Sequence, residues 1–204
     1  TDWQSGDANV ITLLTRDEGV TWYGWETVSK DSELFSLFGW GRNFGGTLGL
    51  NDTTYRSSPV QIPGNTWNEF GFNRGSIVAS KGDGTLWAWG ANEFGQNGQN
   101  DTLSYRSSPV QIPGTTWSSA IGGSEYGIKA TKTDGTLWSW GRNEKGELGL
   151  SQATSVSLSS PTQIPGTTWG TTDNTLSTGK IHSLGVKTDG TLWIWGHNGQ
   201  GQLG

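Results

Sequence analysis

Apolar and polar positions alternate along this chain in short runs, and the runs come in pairs. The stretch IKATKTDGTLWSW, residues 128–140, holds two such runs joined at Asp134-Gly135. A period of two marks half-buried strands, and Asp-Gly suits a two-residue type I′ hairpin turn, in which both central residues take positive φ. Asp83-Gly84 and Asp189-Gly190 repeat the device. On the second strand Trp138 and Trp140 fall on one face, Leu137 and Ser139 on the other. Further runs, PVQIPG and the stretch starting at each Thr-Trp, bring the expectation to about four strands per unit. No stretch sustains a helical period, so the pattern predicts an all-β protein.

The hydrophobic pattern is itself periodic. GTLWAWGAN from Gly84, GTLWSWGRN from Gly135 and GTLWIWGHN from Gly190 are near copies, and SLFGWGRN from Ser36 is a weaker one. Their second tryptophans, Trp40, Trp89, Trp140 and Trp195, lie 49, 51 and 55 residues apart. YRSSPVQIPG occurs identically at 55–64 and 105–114, with LSSPTQIPG at 158–166 on the same beat. The repeats therefore run over approximately 1–64, 65–114, 115–166 and 167–204, the last ending at GQLG. Four short antiparallel strands in about fifty residues make one blade of a β-propeller, which buries its two faces only by stacking on neighbours. Residues 1–204 then form a single, partial propeller. Trp138 and Trp140 are both expected to fill the gap between blades, with Gly39, Ala88 and Ser139 leaving room for bulk from the next blade.

GKIHSLGVKTDGTLWIWGHNGQGQLG, residues 179–204, resembles the repeat of the regulator of chromosome condensation family in its strand histidine, Asp-Gly turn, Trp-Gly-x-Asn motif and Gly-Gln-Leu-Gly loop. Units one to three lack the histidine, with Asn9, Ile77 and Tyr126 near its place. The resemblance implies a seven-bladed β-propeller. Four repeats fall short of seven, and an open arc would expose apolar faces, so a longer chain or partner subunits are expected to supply the remaining blades; closure at four blades is the second choice. Gly-Thr-Leu-Trp and Ile-Pro-Gly-Thr-Thr-Trp recur in almost every unit, a style similar to the bacterial and bacteriophage branch of the family. That likeness implies an extracellular, cell-surface or virion component such as a tail fibre or adhesin.

Composition and charge narrow the function. The chain carries 33 Gly and 13 Trp with no Cys and no Met, a composition suited to a rigid aromatic core. Without cysteine there is no disulfide, thiolate metal site or cysteine nucleophile. Eighteen acidic against 13 scattered basic residues give a net charge of −5, without the basic stripe that nucleic-acid binding needs. No apolar window is long enough to span a membrane, so membrane insertion is not expected.

Candidate chemistry is sparse. His182 occupies the family's strand position, where a structural hydrogen bond is expected, and His197 has no partner set for a metal. Glu144 and Glu147 could suggest a glycosidase pair, but two loop acids three apart fit a solvated surface better. The recurring Asp83, Asp134 and Asp189 are explained by turn geometry. No phosphate-binding motif follows a strand, and no cofactor is expected. The reading is a non-enzymatic recognition or architectural module for a protein or cell-surface glycan. Guanine-nucleotide exchange with chromatin binding, known from the eukaryotic branch, is one alternative; its wedge and acidic loop residues have no counterpart here, and the charge opposes it. The Gly-Trp-Arg-His-Thr motif of the plant ultraviolet-B photoreceptors of this fold is also absent. A lectin is the other alternative. Its platform would be Trp22, Tyr23 and Trp25, the candidate ligand-binding residues, in an insertion within 17–35 where the first unit departs from the repeat.

Overall fold

The computed structural model describes residues 10–13, 35–103, 105–151 and 156–204. They form four sheets in chain order. The first contains β1 (Val10–Leu13), β2 (Ser36–Gly41) and β3 (Arg56–Gln61); the second β4 (Trp67–Phe72), β5 (Ser76–Lys81), β6 (Leu86–Ala91) and β7 (Tyr105–Ile112). The third holds β8 (Trp117–Gly123), β9 (Gly127–Lys132), β10 (Leu137–Gly141) and β11 (Leu158–Ile164); the fourth β12 (Leu176–Thr178), β13 (His182–Val186) and β14 (Leu192–Gly196). The second and third are antiparallel meanders of neighbouring strands, the blade pattern. β1 departs from it by pairing parallel to β2.

The core lies between blades. Leu37 and Ile62 of the first blade pack on Trp67, Ile77, Ala79 and Trp89 of the second. Val78, Leu86, Ala88 and Ile112 of the second pack on Trp117, Ile128, Ala130 and Trp140 of the third, and Leu137 and Ile164 of the third on Trp169 and Trp195 of the fourth. Each blade thus presents a tryptophan face to its predecessor and an aliphatic face to its successor. Backbone bonds rivet the same seams: the Trp117 amide donates to the Gly84 carbonyl, and that of Trp169 to Gly135, both at 3.0 Å.

Trp140 is fully buried in its seam, as alternation predicts. Trp138 is not: it is half-buried and lies edge-on to Trp117 of its own blade, ring centroids 6.3 Å apart. Ala88 packs in the seam with the third blade as expected, but Gly39 and Ser139 serve a different neighbour. A Cβ on Gly39 would lie 3.2 Å from Leu48, and the Ser139 hydroxyl donates to the Leu148 carbonyl, so the space is taken by each blade's own loop.

The Asp-Gly turns correct another expectation. Gly84, Gly135 and Gly190 have φ near +80°, but their aspartates do not share it. The Gly84 amide bonds the Lys81 carbonyl and the Lys81 amide the Thr85 carbonyl, which makes a turn closed by one left-handed glycine instead of a type I′ pair. The aspartate is free to hold the strand start: Asp83 Oδ1 accepts from both the amide and the hydroxyl of Thr85, and Asp134 and Asp189 do the same with Thr136 and Thr191. These bonds, the threonine hydroxyl first, hold all three carboxyls below the usual range.

The outermost strands β3, β7 and β11 each carry a proline, Pro59, Pro109 and Pro161. Opposite each of them the register slips at the buried or half-buried Trp40, Trp89 and Trp140. A bulge tolerates a residue without an amide donor, and the strand bends around the indole behind it.

Candidate interaction surface

Each blade ends in two rims. One carries the Asp-Gly turns. There Lys132 Nζ lies 4.9 Å from the Trp117 ring and 4.2 Å from Trp138, while the Trp138 indole donates to Thr136, itself held by Asp134. Lys81 and Lys187 repeat this over Trp67 with Trp87 and over Trp169 with Trp193. Threefold repetition of one set, each lysine seated on two indoles and each rim threonine held by its aspartate, marks scaffold.

The opposite rim carries the loops after each Trp-Gly-x-Asn motif. Its frame is also repeated. The side-chain oxygens of Asn43, Asn92, Asn143 and Asn198 each accept an amide five residues on, bracing the loop. The braced loop offers a carbonyl to the next blade: the indoles of Trp89, Trp140 and Trp195 donate to Thr47, Gln96 and Glu147 at 3.0, 2.8 and 3.2 Å. Glycines lie against these indoles, and a Cβ on Gly49 would come within 2.9 Å of Trp89 Nε1.

On this frame a cluster of aromatic rings and guanidinium groups gathers. Phe94 of the second blade's loop meets Tyr126, between β8 and β9, with centroids 4.7 Å apart. The Arg142 guanidinium lies 5.3 Å from both rings, and Arg74 lies 5.8 Å from Tyr126. Arg142 also pairs with Glu144, which holds that carboxyl below its ordinary value. Toward the inner strands, Arg74, Glu125 and Lys180 occupy one equivalent position in three successive turns. Their backbones are linked, Arg74 to Glu125 and Glu125 to Lys180, and the Glu125 carboxylate pairs with Arg74 at 3.2 Å and Lys180 at 3.7 Å. Arginine and aromatic groups that are rigid and partly exposed are the composition of binding hot spots.

The sequence candidates fare differently. Trp22, Tyr23 and Trp25 lie outside the described residues. The His182 ring packs over Gly179, where a hydrogen bond was expected. Glu144 and Glu147 are committed separately: the first pairs with Arg142, and the buried second accepts the Lys145 amide at 2.6 Å. Among the described residues no group of three or more His, Asp or Glu could hold a metal. Arg74, Phe94 and Arg142 escaped sequence reasoning, which noted Tyr126 only as a replacement of the family histidine; the available signal was that Arg74, Phe94 and Tyr126 differ from their counterparts in the other units, whereas Arg142 repeats Arg42.

Comparison with known proteins agrees with this architecture. The regulator of chromosome condensation (RCC1) repeat matches residues 83–126 and 134–170, and a second form of the repeat matches 175–202, together just over half the chain. The human E3 ubiquitin-protein ligase HERC2 is 25% identical over 175 residues, 82% of this chain but 4% of that protein. The ultraviolet-B receptor UVR8 of Arabidopsis thaliana is 28% identical over 186 residues, 87% of this chain and 40% of the receptor. The chain thus spans well under half of either relative. Among solved structures, Prp20p of Saccharomyces cerevisiae, described with its binding to Gsp1p and histones, superimposes with a TM-score of 0.70 at 21% identity, covering 85% of this chain and 44% of Prp20p. Human WBSCR16 gives 0.67 at 23% identity, covering 85% and 46%.

Proposed function

The chain belongs to the regulator of chromosome condensation (RCC1) repeat family, and we propose that it is a non-enzymatic recognition module whose loop rim binds a protein partner. The observation that supports this is the cluster of Phe94, Tyr126, Arg142 and Arg74, assembled from two blades on a frame braced by repeated asparagines. Rigid aromatic rings flanked by guanidinium groups give contact area and directed hydrogen bonds at small entropic cost. Both signs of charge occur beside them, which suits a polypeptide surface better than a neutral sugar or a polyanion. The setting in keeping with the repeat style is a cell-surface or virion protein.

Affinity capture from the producing organism's culture tests the rim. The wild-type chain is compared with Tyr126→Ala, Arg142→Ala and the opposite-rim variant Lys187→Ala, with folding checked by circular dichroism. A hot spot of about 2 kcal/mol predicts a roughly 30-fold loss for the first two and little change for the third. Binding unchanged in both loop-rim variants but lost in Trp22→Ala and Trp25→Ala would move the site to that segment and restore the lectin reading.

A further inference from the structure

The third blade braces one of its rim turns differently from the second. Between β4 and β5 the brace is self-contained: Asn73 Oδ1 accepts from the amide and the hydroxyl of Ser76, at 3.0 and 2.8 Å, and the sealed Val78 follows on β5. Between β8 and β9 the same three positions hold Ser124, Gly127 and Lys129. Gly127 has no hydroxyl to offer; the Ser124 hydroxyl donates instead to the Gly127 carbonyl and accepts from Lys129 Nζ at 3.0 Å. The three exchanges depend on one another in space, since a Cβ on Gly127 would lie 3.0 Å from Ser124 Oγ and 3.3 Å from that ammonium. Lys129 is 0% exposed, in a seam between two described blades.

The ammonium is tied to both segments that carry the aromatic cluster. Ser124 immediately precedes Glu125 and Tyr126, so the bond from Lys129 holds the turn that displays the Tyr126 ring. The other attraction on Lys129 comes from Glu147, a buried carboxylate in the loop after β10, which also carries Arg142. The same carboxylate attracts Arg142, and the Arg142 amide donates to the Tyr126 carbonyl at 3.0 Å. From the fourth blade the seam receives Ser183, a neutral hydroxyl at the position of Ile128, so Glu147 is the charged group that acts on the ammonium. A lysine costs stability where the preceding seam holds a valine. Departures from a packing rule of this kind gather at functional sites.

We propose that Lys129 is a positioning residue for the loop rim: through Ser124 on one side and Glu147 on the other, its ammonium sets the β8–β9 turn against the loop after β10 and so fixes the Tyr126 ring against Phe94 and Arg142. The proposal rests on the reading of this rim as the binding surface, and Lys129 itself touches no partner. It also gives the surface a response to pH. Burial lowers the lysine to about 8, so the charge that holds turn and loop together fades as pH rises through that value. The cluster is then set firmly below it and loosely above.

Nuclear magnetic resonance of isotope-labelled aromatic rings reads this geometry in the chain alone. Lys129→Met should displace the Phe94 and Tyr126 ring signals, and the parent's signals should drift toward those of the variant between about pH 7 and about pH 9, a range in which the variant's own stay still. Rebuilding the second blade's brace in the third, with Ser124→Asn, Gly127→Ser and Lys129→Val together, should return the signals to the parent's place and remove their pH dependence. Affinity for the protein captured by the wild-type rim should fall roughly 10-fold in Lys129→Met, although the variant melts higher near neutral pH. In a Tyr126→Ala background the same substitution should cost no further affinity, because the lysine acts through that ring. Ring signals indifferent to Lys129→Met, parent signals flat across the pH range, or equal affinity losses in the two backgrounds would each overturn the proposal. Displaced rings in a chain that captures no protein would uphold the positioning role and retire the binding reading instead.

Discussion

Trp138 and Trp140 sit two residues apart on one strand face and differ in what holds them. Trp140 is sealed between blades and its indole bonds a carbonyl 44 residues earlier, whereas Trp138 lies under Lys132 at a rim. Trp140→Ala should therefore cost about 3–5 kcal/mol, and Trp138→Ala about 1–2 kcal/mol, in chemical denaturation. Alternation along the strand showed that the two share a face; it could not show how far along the seam each falls, because depth depends on the neighbouring blade. Lys129 is the sharper surprise. It is fully buried at the position held by Val78 in the second blade, with the Ser124 hydroxyl 3.0 Å from its Nζ. Burial pushes this ammonium down to about 8, against the opposing pull of Glu147. Between about pH 8 and 10.5 the unfolded chain holds a proton that the native one has lost, so stability should rise with pH across that window, by on the order of 3 kcal/mol. Lys129→Met should melt higher than the parent at pH 7.5, and the difference should vanish toward pH 10.5. A difference that is flat with pH would show that the lysine is not desolvated.

At the scale of the element, the turns show how a repeat encodes its neighbour as well as itself. Gly135 needs positive φ, and its carbonyl receives the Trp169 amide; a Cβ there would also run into the Thr167 carbonyl of the next blade. Gly190 has the same φ with nothing within 4 Å. Gly190→Ala should thus lose only the left-handed conformational term, about 1–2 kcal/mol, while Gly135→Ala loses more because a seam must open. Thermal melts of the two variants, matched for the same substitution, give the comparison. The turns were legible as turns in the sequence, since Asp-Gly between alternating runs admits little else. Their type was not, because the Asp83 carboxylate prefers to hold Thr85 and keeps its own backbone out of the left-handed region.

For the whole molecule, periodicity carried most of the architecture. Tryptophans recurring every fifty residues or so required stacked sheets, and stacked sheets required faces of two kinds. The loop rim was not legible in the same way. Phe94, Tyr126, Arg142 and Arg74 come from two blades and four connections, so no spacing in the chain announces that they meet. The prolines of β3, β7 and β11 have a last consequence. Pro59, Pro109 and Pro161 deny the outer edges of the first three blades an unbroken row of amide donors, so a stray extended chain finds no ladder to join there. Along those three edges a protein built almost wholly of strands is thereby kept from growing sideways into fibrils.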